Sequence, residues 1–214
     1  MRTYVYKLTS DRGGAPCAPP PLSGEHSLLT LSICKPAIRR TAQPGDRLVG
    51  ITSRALVERE GYPACAVIYA ARVAQGLDFG TYYAAENGFG GRPDCVYALD
   101  AETGELRHAG RTRLHAEAAY LARDLGAEPL YRNARTLVCE EFRYFGAEAV
   151  GIPARLPLLR QVAESLGQGH RVFEDGDAES RELDGLFRML WKRETRFTPA
   201  RVEEEARGHA PRLR

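Results

Sequence analysis

Lysine is scarce in this chain: Lys7, Lys35 and Lys192 are the only three among 30 basic residues. Nearly all positive charge is therefore arginine, whose planar fork suits carboxylate and phosphate. A GC-rich coding bias explains that excess equally well, so it carries little weight. Against 28 acidic residues the net charge is only +2, too small for a nonspecific DNA binder. No apolar run approaches the roughly 20 residues that cross a bilayer, and no secretory signal pattern opens the chain. A cytoplasmic protein without membrane contact is expected. The five cysteines are an odd number, widely spaced and without a CxxC pair, which argues against a structural zinc site or a disulfide framework. GxSxG, HExxH, GxxxxGK[ST] and a strand-borne GxGxxG are all missing. Neither a metal nor a cofactor is expected.

What is present reads as strands first and helices later. Thr3–Leu8 alternates and is rich in β formers. A long loop follows, through Asp11-Arg12-Gly13-Gly14-Ala15-Pro16 and the prolines 19–21, and a loop of that length suits binding better than mere connection. Leu28–Ile33 and Arg47–Ile51 read as short buried strands around a basic connector closed by a Pro44-Gly45 turn. Ala64–Val73 is apolar enough to be a central strand. Cys95–Leu99 and Glu105–His108 flank a hairpin signature, and Thr136–Cys139 is a further strand.

Three helices are expected. His115–Leu125 aligns Ala118, Leu121, Ala122 and Leu125, with Gly126 as its stop. Pro153 opens a second that ends at Gly167, and Ser180–Arg193 carries a wide stripe of Leu183, Leu186, Phe187, Leu190 and Trp191. Many short strands separated by turns favour an α+β chain with a curled antiparallel sheet or small barrel over a doubly wound fold. One domain over residues 1–195 is expected, with strands over about 2–145, helices over about 153–195 and a charged tail over 196–214.

The chemistry-bearing candidates lie mostly in loops. Lys35 and Arg39 are placed on the basic connector, where they suit a phosphate or another anion. Cys34 stands beside them, and cationic neighbours favour a reactive thiolate. Tyr97, Tyr144 and Phe145, with Tyr82, Tyr83 and Phe89, supply faces on which a flat base can stack. Asp11, Asp94 and His170 supply groups that hydrogen-bond a base edge.

Taken in order, Asp11-x-Gly13-Gly14-Ala15-Pro16, Cys34-Lys35-Pro36-x-Ile38-Arg39-x-x-Ala42-x-x-Gly45-Asp46, Asp94-x-Val96-Tyr97, Phe142-x-Tyr144-Phe145-Gly146 with Ile152-Pro153, and Gly169-His170-Arg171 resemble the nucleotide-modification-associated domain family, second type. The resemblance runs from about residue 3 to about residue 191. The Gly45-Asp46 pair, the apolar strand after it and Leu77-x-Phe79-x-x-Tyr82 also look like the PUA, ASCH and EVE barrels. These resemblances imply a PUA-like barrel with flanking helices, in a bacterial or phage protein that senses or helps process modified nucleotides. The implied partner is a modified nucleotide or nucleic acid, DNA rather than RNA, and a base-modifying or nuclease protein can act beside it. Two functions stay open at this stage. One is a binding module for a modified base; the other is an enzyme using Asp11, Asp94, His170 or Cys34 as acid, base or nucleophile. The lack of a recognisable nucleophile–base pair favours binding.

Overall fold

A computed structural model describes residues 1–21 and 26–199 of the chain. In chain order the elements are β1 (Arg2–Leu8), β2 (Leu29–Leu31), α1 (Pro36–Thr41), β3 (Arg47–Thr52), α2 (Arg54–Glu60), β4 (Ala66–Arg72), β5 (Gln75–Leu77), β6 (Tyr97–Leu99), β7 (Leu106–His108), α3 (Ala118–Leu125), β8 (Thr136–Cys139), β9 (Glu141–Tyr144), β10 (Val150–Gly151), α4 (Pro157–Ser165), β11 (His170–Glu174) and α5 (Ala178–Leu190).

The main sheet runs β10-β4-β3-β1-β11, with β9 also pairing β4. A second sheet is ordered β2-β8-β5, and β6 and β7 form a two-stranded ribbon. The chain is a mixed α+β fold, as expected, but the expected PUA-like barrel is not found. Among the described residues no sheet closes on itself: the main sheet ends at β11 on one side and at β9 and β10 on the other. The strands also do not stop near residue 145. β11 returns late in the chain to pair antiparallel with β1, with Tyr6 opposite His170, while β1 and β3 run parallel.

Alternation along β1 sorts the core into two layers. Tyr4, Tyr6 and Leu8 face a cluster with Ile38 of α1, Leu56 of α2, and Leu29, Leu31 and Leu137 of the second sheet. Val5 faces the other side, with Val49, Ile51 and Val67, against Leu159 and Val162 of α4 and Leu183, Leu186 and Leu190 of α5. The stripe on the third expected helix is thus core. A third cluster joins Tyr82, Tyr83, Tyr97, Leu106 and Leu125 under the β6–β7 ribbon.

Along β4 the alternation breaks, because Gly50 pairs with Tyr69 whereas Ile51 pairs with Val67. The bulge at Ile68 turns both Ile68 and Tyr69 toward the first cluster. Tyr69 then lies across Gly50, where a Cβ would collide with its ring and with Leu8, and its hydroxyl hydrogen-bonds that of Tyr6.

Sequence and structure differ locally at three places. The basic connector holds a short helix, α1, started by Pro36 in the first turn where a missing N–H costs nothing. α2 was not expected; Ser53 caps it by accepting from the Leu56 amide, and Gly61 ends it in the left-handed conformation. The first expected helix begins at Ala118 rather than His115, and the second at Pro157 rather than Pro153. The expected tail falls, from residue 200, outside the described residues. Within the expected tail, however, Thr198 is buried and exchanges hydrogen bonds with Ala18, and the Arg196 amide donates to the Tyr144 carbonyl.

Gly50→Ala is expected to destabilise the fold by about 1–3 kcal/mol, because the added methyl must displace Tyr69 or Leu8 within a packed layer. Gly151→Ala, where a Cβ meets nothing within 4 Å, is expected to be near neutral. Urea denaturation of the two variants checks the contrast.

Candidate functional site: a thiol centre and an acidic pocket

The loop between β2 and α1 presents Cys34 in an unusual way. Cys34 and Lys35 adopt successive left-handed conformations, with φ of 57° and 42°, which L-residues with a Cβ rarely enter and which cluster at functional sites. This turn brings the Cys34 sulfur to 3.8 Å from His115 Nε2. His115, at φ 55° just before α3, points its other nitrogen, Nδ1, at Asp124 Oδ2 in a close contact. Asp124 in turn accepts from the Cys34 amide at 3.0 Å and the Tyr97 hydroxyl at 3.1 Å. It sits in the last turn of α3, where the helix dipole disfavours a carboxylate. Arg39 compensates: it lies 4.0 Å from Asp124, both side chains being 0% exposed.

Arg39 also fixes the backbone around the centre. Its guanidinium donates to the carbonyls of Cys34, Asn133, Arg135 and Asp124. Burial works against charge on His115, yet its hydrogen bonds to Asp124 and Cys34 outweigh that and push its pKa up to about 9. Burial likewise works against the Asp124 carboxylate, but His115 and Arg39 hold it below the usual carboxylate range. With its pKa raised to about 9 the imidazole is charged at neutral pH, so Nδ1 donates to Asp124 and Nε2 points its own N–H at the Cys34 sulfur.

Lys35 stands at the mouth of this centre. Its ammonium lies 4.9 Å from the Tyr6 ring centroid and donates to the Gln168 carbonyl at 3.4 Å. Burial lowers its pKa, and the charge of Cys34 opposes that shift. His170 on β11 is half-buried against Tyr4, its pKa lowered by burial and by Lys35. Tyr120 stacks on His115 at 4.5 Å, and Arg123 lies over Tyr120.

The second feature is a cavity of about 450 Å³ lined by residues that include Asp11, Tyr62, Tyr144, Phe145, Arg196 and Phe197. Asp11 Oδ2 accepts from the Tyr62 hydroxyl at 3.0 Å and the Tyr144 hydroxyl at 2.9 Å. Asp11 Oδ1 is buried with no hydrogen-bond partner among the described residues. Burial raises the Asp11 pKa, against the pull of the two tyrosines.

The sequence candidates therefore divide. Asp11, Tyr144 and Phe145 meet in the cavity, whereas Lys35 adjoins the thiol and His170 feels Lys35 from its place against Tyr4. Tyr97 is buried, and its hydroxyl serves Asp124 rather than a ligand face. Arg39 is not on a surface shared with Lys35; it is buried and its donors are taken by carbonyls. Asp94 is also buried, accepting from Thr30 and Tyr82 at 2.7 Å each beside Arg92, so it does not join Asp11. His115, Asp124 and Tyr62 were missed by the sequence reading. A lone reactive-looking cysteine with histidine and aspartate downstream was the available signal for the first two. Among the described residues no group of three or more His, Cys, Asp or Glu side chains is placed to hold a metal ion, and no helix is long and apolar enough to cross a membrane.

The site thus defines a mixed α+β protein carrying a cysteine–histidine–aspartate relay. The chain belongs to the nucleotide modification associated domain 2 family, whose model matches residues 1–206. No curated protein and no solved structure matches it. Family membership associates the chain with nucleotide modification.

The raised His115 pKa implies a stability contribution that is complete below the ordinary imidazole value of 6.5 and lost as pH rises through about 9. The lowered Asp124 pKa adds a contribution present above 3.8 and lost as pH falls. Relative to His115→Gln, the wild-type protein is expected to gain most between those limits, with the difference fading toward pH 9. Urea midpoints measured across pH check it, and a difference that stays constant from pH 6 to 10 argues against the ion pair.

Proposed function

We propose that this protein is a thiol-dependent enzyme of a nucleotide-modification system, acting on an acyl group carried by a nucleotide or modified base. The observation that carries the reading is the order Cys34, His115, Asp124, with each imidazole nitrogen facing a different partner. This is the geometry in which a weak nucleophile is activated by a base that a third group orients.

In the proposed reaction His115 Nε2 already holds the proton and stays beside the Cys34 sulfur as it attacks the acyl carbon. A C–S bond forms, and the carbonyl electrons move to oxygen. As the tetrahedral intermediate collapses, the C–N or C–O bond to the leaving group breaks, and the imidazolium gives the proton to it. Water, deprotonated by the same imidazole, then attacks the thioester, releasing a carboxylic acid and restoring the thiol. Asp124 holds the imidazole in the productive tautomer and stabilises its charged form. Lys35 and Arg123 supply positive charge near the thiol, suited to a phosphate-bearing substrate.

A second reading, recognition of a modified base or nucleotide in DNA without chemistry, is favoured by the aromatic side chains around Asp11. A base-modifying or nuclease protein would then be the partner.

Incubation with p-nitrophenyl acetate and mass spectrometry distinguishes the two. An enzyme is expected to show acetylation at Cys34, absent in Cys34→Ala and slowed on the order of 10²-fold in His115→Ala. A binder is expected to show no preference for Cys34 over the other exposed nucleophiles, with oligonucleotide affinity unchanged in Cys34→Ala.

A further inference from the structure

We propose that the Asp11 cavity is a binding site for an alkylammonium group, separate from the thiol centre. Three observations argue for it, and none depends on the chemistry of Cys34.

The first is the state of the Asp11 carboxylate. One oxygen is saturated by two tyrosine hydroxyls, whereas the other is buried without a donor among the described residues. A buried acceptor left unpaired is unfavourable, more so when charged, and a ligand N–H at Oδ1 would remove that penalty.

The second is charge matching around the cavity. Arg12 is paired with Glu60 at 3.9 Å and Arg196 with Glu148 at 2.8 Å. Asp11 is the acid that no cation among the described residues balances. A cationic donor fits Oδ1 better than a neutral one, since it supplies both the hydrogen bond and the opposite charge.

The third is the wall. Tyr62, Tyr144, Phe145 and Phe197 line the same cavity, and aromatic faces around a carboxylate are the usual chemistry for holding an ammonium ion. The volume of about 450 Å³ far exceeds an ammonium head alone, leaving room for a ring to which an aminoalkyl arm is attached. The shared chemistry is the ammonium, whether carried on a modified base or on a free diamine.

Calorimetric titration of the full chain tests this with matched probes. 1,4-Diaminobutane is expected to bind at least about tenfold more tightly than the neutral 1,4-butanediol, and Asp11→Asn is expected to weaken the diamine by at least about tenfold. A 5-aminoalkyl deoxyuridine monophosphate, compared with deoxyuridine monophosphate, then assigns the source. Tighter binding than the diamine places the ammonium on a base; equal binding makes the free amine the ligand. Equal binding of diamine and diol to the wild-type protein, or undiminished diamine binding by a folded Asp11→Asn, overturns the proposal. The diol comparison needs no variant, so it decides even where Asp11→Asn does not fold. Cys34 acetylation followed in the same samples keeps the two readings apart, because loss of amine binding with intact acetylation overturns the pocket alone.

Discussion

Everything around the thiol depends on one buried contact, between Arg39 and Asp124. Neither charge can be sustained in the interior alone: burial penalises both, and each is tolerated because the other and a full set of hydrogen bonds surround it. Asp124 reaches the β2–α1 turn through the Cys34 amide, the lead into α3 through His115, and β6 through Tyr97. Arg39 reaches α3 and the approach to β8 through carbonyls. Four segments remote in sequence are therefore locked to one ion pair, and the left-handed turn at Cys34 and Lys35 is held against its intrinsic cost by that lock.

The same arrangement gives the acid two routes to the nucleophile. Asp124 orients the imidazole through Oδ2 and holds the Cys34 backbone through Oδ1. Sulfur and base thus take their positions from a single carboxylate rather than from separate loops, which limits how far they can drift apart. The Cys34 amide is already engaged, so it is not free to receive an oxyanion. Charge developing on a substrate oxygen has to be met by other donors near the mouth of the centre.

The secondary structure was legible where period and punctuation agreed. β1 was readable from alternation, β3 and β4 from their apolar runs, the β6–β7 hairpin from its turn and the stripe of α5 from helical spacing. The barrel was not correctly read, because local pattern does not say whether a strand pairs parallel to β3 or waits for β11 about 165 residues later. At the site, Asp11, Tyr144 and Cys34 stood out as residue types in loops. Arg39 and Asp94 were misread for one reason: charged side chains look solvent-seeking in a sequence, and only the fold reveals carbonyls or hydroxyls waiting to receive them. His115 was hidden inside an expected helix, whose first residues are not helical: it holds φ 55° and pairs with Asp124 nine positions on.

The acidic cavity has one more property, which follows from the strap that closes it. Arg196 and Thr198 bind Tyr144 and Ala18, so its wall joins segments separated by 180 positions. Contacts of such long sequence separation form after local ones and are favoured last in folding. They are held by hydrogen bonds of Thr195, Arg196 and Thr198 to Tyr144, Glu148 and Ala18. Tyr62 and Tyr144 belong to the first core layer and Phe145 to the second, so the shape of the cavity is set jointly by both layers and by the strap laid across them.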